Sequence, residues 1–269
     1  MNIKQLEDTA KEIRRQVLIM IANANSGHPG GSLSSAEIFT ALYFHKMRHD
    51  PKNPAWPDRD RLILSKGHSC PGMYAAMALA GYFPKEELLT FRHINSRLQG
   101  HQKIDHSMGF ENSGGPLGQG LSQAVGHAIA GKLDKKDYKV YCLVGDGETQ
   151  EGQIWEAVMA AAHYKLDNLI IIIDHNHLQI DGQVEKVMNI EPIIDKFKAF
   201  GYHVIHIDGH KIVEIIKALD EATIVKGKPV AIVAETIKGK GVSFMENQAG
   251  WHGKAPNKDE LEKALKELA

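Results

Sequence analysis

The stretch that decides the fold is VYCLVGDGETQEGQIWEAVMAAAHYKLDNLIIIIDHNHLQIDG, residues 140–182. Two short apolar runs rich in β-branched residues, Val140–Val144 and Leu169–Ile173, flank a helix-compatible segment, Ile154–His163. Short buried runs joined by a helix are typical of two parallel strands in a βαβ unit. The segment therefore predicts an open α/β sheet.

Polar residues follow both predicted strands. Gly145-Asp146-Gly147 ends the first strand, and Asn176 follows the second. Open α/β sheets bind ligands at the carboxyl ends of their strands, and carboxylate and amide oxygens suit a hard cation such as Mg²⁺. The glycines allow a phosphate to approach the backbone, and the helix N-terminus that follows favours negative charge. Tight turns and strand-end asparagines also occur in ordinary loops, so it is the pair in one unit that indicates a metal and phosphate site.

Composition limits the class of protein. The chain has 269 residues, 43% of them hydrophobic and 24% charged, with a formal net charge of −1. This balance gives no global field for nucleic acid or a membrane surface. Two cysteines, Cys70 and Cys142, provide no disulfide framework, and no apolar stretch approaches the ~20 residues that span a bilayer. We expect a cytoplasmic protein.

Hydrophobic periodicity predicts the remaining elements. A first helix is expected from Ile3 to Ala24, and residues 25–32 are expected to form a loop. A second helix should begin at a capping box formed by Ser34 and Glu37 and continue to about Lys46. A third should extend from Pro84 to about His93. Further strands are predicted at 62–64, 204–207 and 229–235. Together these elements predict a single doubly wound α/β domain over residues 1–269. The strand ends should bring one set of polar residues to one edge of the sheet: His68, Asp146, Asn176, Asp208 and the turn 238–241.

The spacing of Asp146 and Asn176 resembles the Gly-Asp-Gly…Asn signature of thiamine-diphosphate enzymes. The surrounding Gly-Asp-Gly-Glu-Thr-Gln-Glu-Gly and Asn-His-Leu-Gln-Ile-Asp-Gly resemble the transketolase branch. Two further elements extend the resemblance, Ser-Gly-His-Pro-Gly at residues 26–30 and Gly-Pro-Leu-Gly-Gln-Gly at residues 115–120. The resemblance covers nearly the whole chain. It departs from the family at Gln102, where proline is usual.

The resemblance implies thiamine diphosphate as the cofactor and a set of site residues. The metal, Mg²⁺ with Ca²⁺ or Mn²⁺ as substitutes, would be held by Asp146, Asn176 and the backbone carbonyl of Leu178. The cofactor-binding set would also include His68, Gly114, Gly115, Pro116, Leu117, Gly118, Gly145, Gly147, Glu148 and His252. The catalytic set would comprise His28, His68, His101, Glu151 and His252. Within it, His28 and His101 would serve as acid–base groups toward substrate oxygens.

The resemblance extends to only the diphosphate-binding half of such an enzyme. It implies the N-terminal subunit of a split transketolase, which transfers a two-carbon ketol unit from a ketose phosphate to an aldose phosphate. A separate C-terminal subunit would carry the pyrimidine-binding domain, in a dimer of heterodimers. Glu151 would contact the catalytic glutamate of that partner; alternatively, it is a helix-start carboxylate that complements the helix dipole.

Other interpretations stay open at this point. The chain is alternatively part of a transketolase-like enzyme for another sugar or of a deoxyxylulose-phosphate synthase-like transferase. It is alternatively a non-catalytic cofactor-binding subunit, or a metal-dependent hydrolase. His175 and His177 should share a face opposite to Asn176. Zinc is disfavoured there, because the neighbouring sequence has no cysteine or third histidine. Cys70 is a packing residue or a reactive thiol.

Overall fold

The computed structural model describes residues 1–269, which fold around a five-stranded parallel sheet in the order β1-β2-β3-β7-β6. The strands are β1 Arg61–Leu64, β2 Val140–Gly145, β3 Leu169–His175, β6 His203–Asp208 and β7 Val230–Glu235. A small antiparallel hairpin, β4 Leu178–Gln179 and β5 Gly182–Gln183, follows β3. The predicted βαβ unit is confirmed, because β2 and β3 are parallel neighbours.

Ten α-helices surround the sheet. They are α1 Ile3–Asn23, α2 Pro29–Ser34, α3 Ala36–Ala41, α4 Cys70–Ala80, α5 Gln119–Leu133, α6 Gly152–His163, α7 Val184–Val187, α8 Ile193–Ala199, α9 Ile212–Ile224 and α10 Lys258–Glu267. A π-helical turn, Leu42–Lys46, continues α3, and single 3₁₀ segments lie at Gly67–Ser69, Lys85–Thr90, Gly147–Gln150 and Ala249–Trp251. None of the helices is both long enough and apolar enough to cross a membrane.

Two hydrophobic cores lie on opposite faces of the sheet. Leu143, Ile170 and Ile172 pack with α1, α3, α4 and α9, whereas Cys142 and Ile171 pack with α5, α6 and α8. Successive side chains of a strand point to opposite faces, so the continuous apolar runs of β2 and β3 supply both cores. This arrangement confirms the predicted doubly wound α/β fold.

Several local predictions are wrong. Residues 29–34 form helix α2 instead of a loop, starting at Pro29 as its first residue. The Ser34 capping box does not form, because the Ser34 hydroxyl donates to Asp174 Oδ2 at 2.7 Å instead. The segment after Pro84 is a 3₁₀ helix that ends at Thr90.

Candidate functional site

A cavity of about 350 Å³ opens where β1, β2, β3 and β7 end. Its walls come from the turns that follow these strands, from the start of α2 and from the segment around Gly115. Most predicted site residues line it: His28, His68, His101, Gly115, Leu117, Gly145, Asp146, Gly147, Glu148, Glu151, Asn176, Leu178 and His252. Their convergence follows from the parallel sheet, which directs all of its strand ends to one side.

Asp146 lies at the floor of the cavity and is 2% exposed. Its carboxylate accepts hydrogen bonds only from backbone N–H groups, those of Gly147 at 2.7 Å and His177. Burial, followed by repulsion from Asp174, raises the pKa of Asp146 to about 6. A buried carboxylate with this environment is stabilised in its charged form by a cation placed in the cavity.

The amide of Asn176 is oriented by its neighbours. Its Nδ2 donates to Asp174 Oδ2 at 2.9 Å, and since an ionised carboxylate only accepts, the other amide atom must be the oxygen. That oxygen accepts from the Leu178 backbone N–H at 3.2 Å. Asp146 and Asn176 therefore offer the cavity a carboxylate and an amide oxygen, which is the oxygen-donor chemistry of a Mg²⁺ site. The Leu178 carbonyl accepts from Lys238 Nζ at 2.8 Å, so it can join these ligands only when that lysine moves away.

Glu148 connects two of the loops that form the cavity. Its buried carboxylate accepts from the Gly118 N–H at 2.9 Å, from the Gly145 N–H at 3.0 Å and from the Ser65 hydroxyl. The turn after β2 is thereby joined to the glycine segment that precedes α5. Both turns present backbone to the same space, as a phosphate site requires.

Within the glycine segment, residues 114–118, Gly118 is the one position where both the backbone angle and the available space exclude a side chain. Its φ of +80° is in the left-handed region, and a Cβ there would lie 2.9 Å from Glu151 Cβ. Gly114, Pro116 and Gly118 lie beside the cavity without lining it. Gln102 holds this loop against β1, since its Nε2 donates to the Leu64 carbonyl at 2.8 Å.

Four imidazoles form a cluster on one wall of the cavity. The ring of His28 lies 5.6 Å from His68, 5.7 Å from His101 and 5.4 Å from His252, between centroids. Burial and nearby cations lower the pKa of His28 to about 4 and that of His252 to about 3, and they lower the pKa of His68 and His101 as well. All four rings are therefore neutral at pH 7, so each has one nitrogen that donates and one that accepts a proton.

Two lysines also line the cavity: Lys66, which was not predicted, and Lys238, whose turn 238–241 was predicted to reach this edge without a role for the side chain. Lys238 is 2% exposed, and its Nζ lies 2.8 Å from the Leu178 carbonyl and 2.9 Å from His252 Nδ1. Burial lowers its pKa to about 8. Lys66 is paired with Asp174. Each lysine follows a core strand, and that position in the sequence could have predicted its place at the cavity. An isolated lysine, however, ordinarily lies on an exposed surface.

One further prediction comes out differently. Asp208 does not line the cavity, because β6 is the edge strand and β7 lies between it and β3.

Glu151 lines the cavity and is the N-cap residue of α6, a position at the start of a helix, although its side chain makes no capping hydrogen bond. Its carboxylate is exposed to solvent.

Comparison with known proteins assigns the chain to a family. A family model described as "Transketolase, thiamine diphosphate binding domain" matches residues 6–269. The chain is 46% identical over 263 residues to the 6-deoxy-6-sulfo-D-fructose transketolase subunit SqwG of a Clostridium species, covering 98% of this chain and 96% of that protein. It is 45% identical over 265 residues to an apulose-4-phosphate transketolase subunit from Actinobacillus succinogenes, with the same shares covered.

Longer relatives match as well. Human transketolase is 41% identical over 267 residues, which are 99% of this chain and 42% of that protein. The crystal structure of Campylobacter jejuni transketolase superimposes with a TM-score of 0.94 at 40% identity, covering 100% of this chain and 43% of that one. The chain thus spans less than half of these enzymes and nearly all of the subunits named above. On the family match and the shared fold together, this chain belongs to the thiamine-diphosphate-binding domain family of transketolases.

Proposed function

We propose that this chain is the N-terminal, diphosphate-binding subunit of a two-subunit transketolase that moves a two-carbon ketol unit from a ketose phosphate to an aldose phosphate. The observation that carries the proposal is the meeting of an oxygen donor set with four neutral imidazoles in one cavity. A cation and diphosphate need the first, and proton transfer at sugar oxygens needs the second.

Different cavity residues would bind the metal ion and the diphosphate. Asp146, Asn176 and the Leu178 carbonyl would hold Mg²⁺, for which Ca²⁺ or Mn²⁺ could substitute. The backbone around Gly115 and Gly147, together with the positive Lys238, would face the diphosphate. Thiamine diphosphate, when bound, supplies the nucleophilic carbon through which the ketol unit is transferred.

The chain's own chemistry is the handling of protons. His28 and His101 line the cavity with their ring centroids 5.7 Å apart, and they would exchange protons with hydroxyl oxygens of the sugar. A lowered pKa keeps each imidazole neutral at pH 7 and therefore able to accept a proton. General acid–base catalysis of this kind typically contributes ~10²–10⁴-fold to a rate.

The proposed partner is a separate chain with the pyrimidine-binding domain. Two observations support a separate partner chain. This chain spans less than half of the human enzyme, and relatives of similar length are named as subunits. In the proposed dimer of heterodimers, the exposed Glu151 carboxylate would face the partner from the cavity. Both cysteines are buried and unpaired, which suits a reducing compartment such as the cytoplasm.

The test is reconstitution. The chain is assayed with thiamine diphosphate and Mg²⁺, alone and after mixing with the purified chain that carries the pyrimidine-binding domain. We expect ketol transfer only in the mixture. Full turnover by the isolated chain would disprove the need for a partner, and an inactive but cofactor-loaded mixture would favour a non-catalytic subunit.

The sugar is a separate question, and the relatives favour a second candidate. The subunits at 46% and 45% identity are named for 6-deoxy-6-sulfo-D-fructose and apulose 4-phosphate. The donor panel therefore includes both of these sugars beside fructose 6-phosphate and xylulose 5-phosphate. A kcat/KM at least about tenfold higher for one donor, equivalent to 1.4 kcal/mol of transition-state binding, would identify the preferred substrate.

A further inference from the structure

A second cluster of potential metal ligands lies outside the cavity, behind the Asp146–Asn176 floor. His175 is the last residue of β3, and His177 lies two residues further on, with its ring centroid 4.1 Å from that of His175. Both rings face Glu235 at the end of β7: His175 Nδ1 is 2.9 Å from Oε1, and His177 Nε2 is 2.9 Å from Oε2. Their potential ligand atoms all lie within 4.8 Å of one another.

A third histidine completes this cluster. His206, on β6, places its Nε2 2.8 Å from Glu235 Oε1. β7 lies between β3 and β6, and its Glu235 is the register partner of His175 on one side and Asp208 on the other. Three imidazole nitrogens from two chain segments, the end of β3 and β6, therefore converge on one carboxylate. The sequence prediction disfavoured zinc for lack of nearby ligands, but Glu235 and His206 are neighbours in the sheet although they are distant in sequence.

The outer nitrogens of two rings also lie near carboxylates. Histidines that bind a metal almost always donate their other ring N–H to such a partner, which fixes the tautomer. His177 has this arrangement, because its Nδ1 is hydrogen-bonded to Glu185 Oε1 at 2.6 Å. His175 Nε2 lies 3.0 Å from Glu191 Oε1 but is not aligned for a hydrogen bond with it.

We propose that His175, His177, His206 and Glu235 form a binding site for Zn²⁺ or a similar transition-metal ion. The inner nitrogens of His175 and His177 and the Glu235 carboxylate are donor types that Zn²⁺ binds. Glu185 and Glu191 lie beside the outer nitrogens and add negative charge around the site. Zn–N bonds of about 2.0–2.1 Å bring ligand atoms to about 3.3 Å separation, a modest contraction of the group formed by His175, His177 and Glu235. His206 contacts Glu235 from outside that group, so its ring must turn inward to become the fourth ligand.

The backbone of His177 connects this cluster to the cavity. Its N–H donates to the Asp146 carboxylate, and its φ of +60° places the residue in the left-handed region. A metal bond to His177 would hold the segment 176–178, so the zinc site would also stabilise the positions of Asn176 and Leu178 in the cavity.

The imidazoles of the cavity are the alternative zinc ligands, and their electrostatics argue against them. His252 Nδ1 contacts Lys238, and His28 Nδ1 is 3.4 Å from the Arg92 guanidinium. Cationic neighbours repel a divalent ion, whereas the rings of the proposed site face only carboxylates. The two clusters can be distinguished by mutation.

The experiment uses the full chain without a histidine tag. The chain is stripped with EDTA, equilibrated with Zn²⁺, desalted and analysed for metal, and Co²⁺ is added in parallel to record the absorption bands of a four-coordinate site. We expect about one zinc per chain in the wild type. The double variant His175→Ala/His177→Ala should lose it, and Glu185→Gln should weaken zinc binding about 10–100-fold.

Two controls separate this site from other histidines. His203 is on the same strand as His206 but pairs with Glu221 at 2.6 Å outside the cluster, so His203→Ala should keep its zinc. His28→Ala/His252→Ala should keep it as well. The proposal is overturned if the wild type retains no zinc, if the His175/His177 variant retains it or if the cavity variant loses it. Should the double variant not fold, the exposed His206→Ala decides, because unchanged zinc affinity there contradicts a four-ligand site.

Discussion

Lys66 and Asp174 form an ion pair in which neither side chain is more than 1% exposed. The same carboxylate accepts from the Ser34 hydroxyl at 2.7 Å and from Asn176 Nδ2 at 2.9 Å. One buried anion therefore connects helix α2, the end of β1 and the amide that points into the cavity. Removing either charge leaves the other buried without a counter-charge, held only by neutral hydrogen-bond partners.

Lys66→Met should destabilise the chain strongly. Methionine preserves most of the side-chain volume but leaves Asp174 charged and buried, which typically costs about 3–5 kcal/mol of unfolding free energy. Urea unfolding monitored by circular dichroism measures the change. The matched control is Lys4→Met, which breaks the exposed Lys4–Asp8 pair and should change stability by less than about 1 kcal/mol. Equal losses in the two variants would contradict the argument.

Asp146→Asn should abolish the Mg²⁺ dependence of cofactor binding while the fold is retained. Loss of a proposed ligand should weaken affinity by more than about 100-fold, since even outer-shell changes commonly cost 10–100-fold. Titration calorimetry with thiamine diphosphate, with and without Mg²⁺, measures this in the reconstituted complex. Asp208→Asn, at the end of the edge strand and away from the cavity, is the control and should bind normally. Unchanged affinity in Asp146→Asn would remove it from the metal site.

Gly118→Ala should damage the cavity beyond the cost of its backbone angle. A methyl group there meets Glu151 Cβ at 2.9 Å, so the glycine segment or the start of α6 must move. Gly201→Ala is the matched control, because its φ of +89° is similar but no atom lies within 4 Å of the added Cβ. Both variants should lose about 1–2 kcal/mol from the left-handed backbone, and only Gly118→Ala should also lose cofactor affinity. Equal cofactor affinity in the two variants would refute the close contact as the cause.

Stability without cofactor should fall as the pH is lowered from about 6.5 to about 4. The folded chain holds the pKa of His28 at about 4 and that of His252 at about 3, below the ordinary value near 6.5. In this window His28 and His252 bind protons in the unfolded chain but not in the folded chain, so their contribution to the free energy of unfolding decreases with decreasing pH. Asp146, with its pKa raised to about 6, contributes in the opposite direction. His28→Asn should show a shallower decrease, whereas the exposed His93→Asn should follow the wild type. Parallel curves for all three proteins would show that burial of His28 contributes nothing.

The sheet and most of the cavity could be predicted from the sequence because their signals are local. The runs in β2 and β3 are long enough to identify as buried strands, and their polar ends follow directly in the chain. Parallel strands then require Asp146 and Asn176 to meet at one edge. This inference needs only that consecutive strands of one βαβ unit lie side by side, as β2 and β3 do.

The errors concern features that depend on tertiary packing. Gly30 and Gly31 suggested a loop, but both lie in helix α2, where a Cβ on Gly30 would come within 3.0 Å of the Lys238 side chain. Close packing, not a turn, explains these glycines. Asp208 was misplaced because the sequence does not reveal that β7 inserts between β3 and β6. The same insertion brings Glu235 to His175, a contact across 60 positions that no local pattern indicates.

The alternation of side chains along β3 constrains how this chain can change. Asp174 points toward Lys66 and the cavity floor, and the next residue, His175, points to the opposite side toward Glu235. Gaining or losing one residue within β3 would exchange these two destinations, sending an imidazole toward the buried lysine and a carboxylate toward Glu235. Homologous chains should therefore differ in this strand by replacement of individual residues and keep its length constant.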